Sequence, residues 1–342
     1  MIRNDRAVSP SRGGFTLIEL LTVIAIMGVL LGLAVGAYFR VRVSQEEKHT
    51  EVILNKLQSA FDAQRTAVQD NASDDLKKSR VPSGVVTMAG GDNRRAKVIW
   101  QKILYKMEFP QNFWEAIVWQ NSMSLTYGLT PRPSFQRSLV MPPLNIPIVP
   151  LDPATLTVDQ VMQESAVLLY ITLGQGRRGV NTFNPNEHLG PHALGKITLA
   201  HYPGSPEFPI FVDTWGQPIG FIRSPFGGGL PLVGGGALQD LNVPPYQARN
   251  NQGQPIDPQD PEMTLLESQW YNSANRPAFE LTVNGGAPIT NPPMNLTPVI
   301  CSSGRDKQWG FSASPLTALQ RFSGDEDDNI YAFRMKGVGR SN

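Results

Sequence analysis

Residues 15–39 constrain this chain more than any other stretch. They read FTLIELLTVIAIMGVLLGLAVGAYF, 25 residues carrying one charge, Glu19. A bilayer core is roughly 30 Å thick and takes about 20 apolar residues as a helix. At 1.5 Å per residue this run rises about 37 Å, enough to span with some tilt. Gly28, Gly32 and Gly36 recur at every fourth position, a small-residue stripe along which another helix backbone can approach. Arg3, Arg6 and Arg12 precede the run against Asp5, which favours a cytoplasmic N-terminus and an exported C-terminal part. Arg40 and Arg42 on the far side weaken that bias.

An ordinary secretory signal has a shorter apolar region that ends at its cleavage site. Here the cleavage-like pair, Gly13-Gly14, comes before the apolar run. Cutting after Gly14 would remove a polar leader and keep the helix. Phe15 would then carry a new α-amine, with Glu19 one turn down the same face. An acid in a membrane segment is costly and marks function. Glu19 also suits a helix N-terminus. It could pair with its own chain's amine, with that of a neighbouring subunit, or sit at the headgroups.

Arg12-Gly13-Gly14-Phe15-Thr16-Leu17-Ile18-Glu19-Leu20 resembles the class III signal of type IV pilins and type II secretion pseudopilins. The resemblance covers about a tenth of the chain. It implies that prepilin peptidase cuts after Gly14 and methylates Phe15, and that Glu19 supports subunit assembly. It also implies a pilin-like α+β fold: a long N-terminal helix, transmembrane and then amphipathic, followed by a loop-rich head with extra helices and a small antiparallel sheet. The expected organisation is a leader over 1–14, a transmembrane helix over 15–39, its amphipathic continuation over 40–70, and an exported head with Pro- and Gly-rich insertions over 71–342.

The amphipathic continuation is read from Ile53, Leu57, Ala60, Phe61, Ala67 and Val68 at helical spacing, interrupted by Gln64. Residues 71–91 are polar and read as a loop. Asp92 or Asn93 caps a helix to about Met107, Pro110 breaks it, and Asn112–Gln120 resume it. Seven prolines in 130–154 argue against any regular element there. Val158–Leu173 reads as an apolar helix with Val161, Met162, Ala166, Leu168 and Leu169 inward. Phe208–Ser224 is strand-like and broken at Trp215-Gly216. Residues 225–262 read as a long loop. Pro298–Ser302 and Ile330–Met335 read as closing strands.

Composition narrows the function. The formal net charge is +1, and loss of residues 1–14 would leave −1. No basic field points to nucleic acid. Cys301 is the only cysteine, so no intramolecular disulfide can form. Gly174-Gln175-Gly176-Arg177-Arg178-Gly179 matches the spacing of a dinucleotide loop, but the following Asn-Thr-Phe-Asn-Pro does not open a helix. It reads instead as a helix C-cap and turn. Glu187, His188 and His192 span Gly190-Pro191 and share no helix face, so they read as surface residues rather than metal ligands. No nucleophile motif is present, and the chain is not expected to be an enzyme.

Phe211-Val212-Asp213-Thr214-Trp215-Gly216-Gln217-Pro218-Ile219 specifies a turn with a buried aromatic. It resembles the Asp-x-Trp-Gly-x-Pro element of the major pseudopilin of type II secretion. Ser302-Ser303-Gly304-Arg305-Asp306 and Gly324-Asp325-Glu326-Asp327-Asp328-Asn329-Ile330 resemble that family's C-terminal segment, which binds calcium. Several carboxylates within five residues, with nearby carbonyls, are the hard oxygen donors Ca²⁺ takes. The aligned candidates are Asp306, Asp327 and Asp328, with Asp325 as a local addition. The gap between Asp306 and the cluster is longer than usual, and the head is larger than that of a minimal major pseudopilin.

The resemblance implies a structural pseudopilin-like subunit in a short filament of a type II secretion-like system. Its partners would be other pseudopilin subunits, prepilin peptidase, the inner-membrane secretion platform and lipid. It would be a single-pass protein of the inner membrane with a periplasmic head. A type IV pilus or DNA-uptake pilin, and a membrane-anchored exported enzyme or binding module, remain as alternatives.

Overall fold

The computed structural model describes residues 17–140, 150–152, 155–176, 180, 182–223, 259–283, 298–309, 311–314, 318–321 and 330–332. Two compact units divide at Lys48/His49. One helix, α1 (Leu17–Lys77, 61 residues), crosses that boundary.

The helix runs well past Asp70. Asn71, Ser73, Asp74 and Asp75 look like loop residues, yet Ala72 is buried and Trp100 donates its indole N–H to Asp75 Oδ2 at 3.4 Å. Tertiary contacts thus outweigh weak helix propensity. The helix closes with Ser79 at φ 52°, Arg80 N donating to Asp75 O (2.8 Å) and Ser79 N to Leu76 O (3.1 Å). This is the Schellman pattern, with serine in the position glycine usually fills.

Residues 71–91 are therefore not a loop throughout, because α2 (Ser83–Met88) follows α1 and buries Val85 and Met88. Asp92 caps α3 (Asn93–Glu108) by accepting from Arg94 N (2.8 Å) and Arg95 N (3.4 Å). After Pro110 a π-helical turn, Glu115–Trp119, leads into α4 (Gln120–Tyr127), which ends on Gly128 at φ 68°. The proline-rich stretch holds α5 (Pro133–Phe135) and a π-helical turn, Gln136–Val140, against expectation. Pro133 sits in the first turn, where its missing N–H costs nothing. A capping box of Thr157 and Gln160 starts α6 (Val158–Leu173), and Val161, Met162, Ala166, Leu168 and Leu169 are buried as the periodicity predicts.

Two short helical turns, α7 (Pro185–His188) and Pro191–Ala193, lead into β1 (Leu194–Thr198), which pairs antiparallel with β2 (Glu207–Phe211). A second sheet has the order β3 (Gly220–Ile222), β4 (Val299–Ser302) and β7 (Ile330–Tyr331). It is antiparallel throughout, with Gly220 opposite Cys301 and Ser302 opposite Ile330. The segment expected as one broken strand over Phe208–Ser224 thus feeds two sheets. A third pair joins β5 (Phe311–Ser314) to β6 (Ala318–Arg321). Between β3 and β4 in sequence lie α8 (Ser268–Tyr271) and α9 (Asn275–Val283). Most of the expected 225–262 loop lies outside the described residues.

The head's core gathers on α1. Phe61 is fully buried, with ring centroids 4.7 Å from Phe109 and 5.2 Å from Phe221. α6 packs closely on β3, where a Cβ at Gly220 would come within 2.6 Å of Met162 Cε. Arg95, 5% exposed, ties 259–283 to α3 through Thr264 O (2.9 Å), Glu267 and the Trp270 ring.

Candidate functional site

Among its described residues, the N-terminal unit buries no apolar side chain. Its most apolar 18-residue window has mean hydropathy 2.6 and is 0% buried, so by length and composition this helix can cross a membrane. Leu17, Leu21, Ile24, Leu31 and Phe39 are all exposed. Exposed apolar surface on this scale is unfavourable in water and demands lipid or partner helices. At Gly28, Gly32 and Gly36 nothing lies within 4 Å of where a Cβ would stand. Glu19 occupies the first turn of α1, where the helix dipole favours an acid. Gly14 and Phe15 lie outside the described residues.

In the head, three polar side chains on the buried face of α1 each hold a different segment. Thr50 Oγ1 and Thr214 Oγ1 are 2.6 Å apart. Gln58 donates to Pro298 O (3.1 Å) and accepts from Ile300 N (3.2 Å), which seats β4. Gln64, which interrupts the apolar stripe, donates to Gln175 O (3.1 Å) beyond α6.

The Asp-Thr-Trp-Gly turn and the Ser-Ser-Gly-Arg-Asp segment, far apart in sequence, meet here. Asp213 is 2% exposed; its Oδ1 accepts from Trp215 N (2.9 Å) and Gln217 N (2.8 Å), and its Oδ2 from the Ser302 hydroxyl (2.6 Å). Ser302 Oγ in turn accepts from Gly304 N (3.1 Å). Burial raises the Asp213 carboxyl above its ordinary range, opposed by these hydrogen bonds and by Lys307. The expectation of a buried aromatic needs correction. Trp215 is only half-buried, and the aspartate is the buried residue that organises the turn.

Asp306 follows this junction on an exposed turn, its Oδ1 accepting from Gln308 N at 2.8 Å. Asp325, Asp327 and Asp328 lie outside the described residues. Gly174 ends α6, its N–H bonded to Tyr170 O at 3.1 Å, so the glycine motif follows a helix rather than opening one. Arg177, Arg178 and Gly179 lie outside the described residues. His188 stacks on Phe183 and His192 lies against His49, with centroids 4.9 and 4.7 Å apart; both are exposed. Burial pushes the Cys301 thiol well above its ordinary range.

Two buried charged clusters gave no sequence signal. Glu115, 1% exposed, is gripped by both Arg223 terminal nitrogens and faces Lys106 at 3.7 Å, while Lys106 lies 4.7 Å from the Trp119 ring centroid. Burial alone would raise the Glu115 carboxyl, but Arg223 and Lys106 hold it down at about 2. Burial brings the Lys106 ammonium down to about 8 against the pull of Glu115. Glu164 on α6 accepts from Tyr202 Oη (3.0 Å) and Phe113 N (2.8 Å), with His201 Nε2 at 3.2 Å. These clusters lock loops to helices.

A family model, the prokaryotic N-terminal methylation motif, matches residues 9–35. That signal is typical of type IV pilins and pseudopilins, and its presence supports a prepilin-type substrate of prepilin peptidase. Together with the exposed apolar half of α1, it fits a membrane-anchored protein. No curated protein and no solved structure matches the chain.

Proposed function

We propose that this chain is a structural, non-catalytic pseudopilin-like subunit of a short filament in a type II secretion-like machine. Prepilin peptidase cuts it after Gly14 and methylates Phe15. Apolar helices of successive copies bundle in the filament core, Glu19 meets a Phe15 amine, and the heads face outward from the inner membrane into the periplasm. The observation that carries this reading is the methylation motif on residues 9–35, which leads into a helix whose residues 17–39 are exposed and, but for Glu19, uncharged and mostly apolar, and whose later half packs into the core of a head. The junction of Asp213 with Ser302 supports secretion over a pilus, because the two segments that resemble the major pseudopilin pack on each other.

Expression of the full chain with and without an active prepilin peptidase tests the processing. Intact mass and N-terminal sequencing should give a product beginning at methylated Phe15. An uncut chain beside a cleaved control substrate would sink the reading. In the native host, deletion should block release of exported proteins; loss of long surface fibres with secretion intact would assign the chain to a pilus.

Calcium belongs to the same proposal. Asp306, Asp325, Asp327 and Asp328 are the oxygen donors that would hold it, supported by the place of Asp306 beside the Ser302 junction. Bound Ca²⁺ stabilises the folded state by mass action. The processed chain in detergent should therefore melt higher in Ca²⁺ than in EGTA, and identical melts would remove calcium.

A further inference from the structure

Two adjoining cavities, of about 240 and 520 Å³, run along the last turns of α1 and share Asn71 and Asp74. The larger reaches Asp70, and the smaller reaches Lys78 and Arg80. Inside this groove Lys78 pairs with Asp74 at 3.1 Å and Arg132 with Glu108 at 2.7 Å. Its two ends differ: Asp70 and Arg80 are exposed, and neither forms an ion pair with another described residue. Among the described residues, the groove thus offers an acid without an ion-pair partner at one end and a guanidinium without one at the other.

We propose that this groove docks a second copy of this chain, displaced along α1, with Arg80 of one copy against Asp70 of the next. The inference rests on the filament reading above. Copies inserted by the same N-terminal segment face the same way across the bilayer, so their heads meet side by side with α1 pointing alike. Without displacement Asp70 would face Asp70 and Arg80 would face Arg80, and like charges at contact repel. A displacement of roughly 10–15 Å, the span of about ten residues near a helix end, places unlike charges together. Such a contact joins one end of the groove to the other end of the next. It is heterologous and repeats without closing, which is the geometry of a filament rather than a dimer. Salt should weaken it, because both ends are exposed.

The test uses full-length chains co-expressed with prepilin peptidase in membranes. One chain carries Asp70→Cys and the other Arg80→Cys; Cys301 is buried and contributes little background. Oxidation should yield mixed 70–80 dimers several-fold above the 70–70 and 80–80 products. Asp70→Arg alone should cut lysine-reactive crosslinking of the assembled chain several-fold, and adding Arg80→Asp in the same chain should restore it. Equal 70–70 yield, or no rescue, overturns the groove while a wild-type crosslinking ladder leaves the filament standing. A wild-type chain that gives no ladder overturns both.

Discussion

Glu115 answers two cations from a position 1% exposed. Its folded carboxyl titrates at about 2, against an ordinary 4.5. A depressed carboxylate contributes its full stabilisation above the unfolded value and loses it as pH falls through the folded one. The head should therefore lose stability between about pH 4.5 and 2, and Glu115→Gln should flatten that slope in acid melts. Glu115→Ala at neutral pH leaves Lys106 and Arg223 buried without a counter-charge and should cost about 3–5 kcal/mol. A loss below about 1 kcal/mol, the level of a surface pair, would show that the cluster is not buried in solution. Asp213 makes a complementary case. Asp213→Ala would strand two backbone N–H groups and the Ser302 hydroxyl, at about 1–3 kcal/mol for each buried group left unsatisfied. Asp213→Asn keeps an acceptor for the amides and should cost clearly less in a denaturant titration; equal losses would assign the effect to charge.

At the scale of elements, the end of α1 is set by Ser79 at φ 52°. Left-handed backbone costs a non-glycine residue roughly 1–2 kcal/mol, partly offset in glycine by its greater unfolded entropy. Ser79→Gly should therefore raise stability by about 0.5–1 kcal/mol, seen as a higher Tm, and a lower Tm would show the serine hydroxyl to be worth more than the strain. This cap also shows where the sequence could be read and where it could not. Periodicity gave α6 to the residue, and an Asp cap with a terminal Pro gave α3 closely, because both signals are local. The last turns of α1 were missed because Asn71–Asp75 become helical only through Trp100 and the burial of Ala72. β1 escaped notice because Leu-Gly-Lys-Ile-Thr lacks clean alternation, and it is a strand only opposite β2. In the candidate site, Glu19 and Asp213 were legible from motifs. The partners of Glu115 were not, since Arg223 lies 108 residues away and neither residue sits in a pattern.

For the whole molecule, the two units draw stability from different sources. The head unit, His49–Asn342, contains every buried core residue among the described ones, from Ile53 onward. The N-terminal unit buries none of its most apolar window, so it has no hydrophobic stabilisation in water and depends on lipid or neighbouring helices. Removing residues 1–48 should therefore leave the head's folding intact. It retains Thr50, Gln58, Phe61 and Gln64, the α1 side chains that grip the Asp213 turn, β4, the core and the end of α6. A chain of residues 49–342 should be soluble and monomeric at micromolar concentration by sedimentation. It should melt cooperatively within a few degrees of the full chain in detergent, the shift expected from less than about 1 kcal/mol in a protein of this size. It should show no affinity for vesicles, whereas the full chain partitions completely into membranes. Aggregation or a broad, low transition would mean that the apolar half of α1 supports the head. A truncated head that still bound lipid would mean that the membrane contact extends beyond the helix.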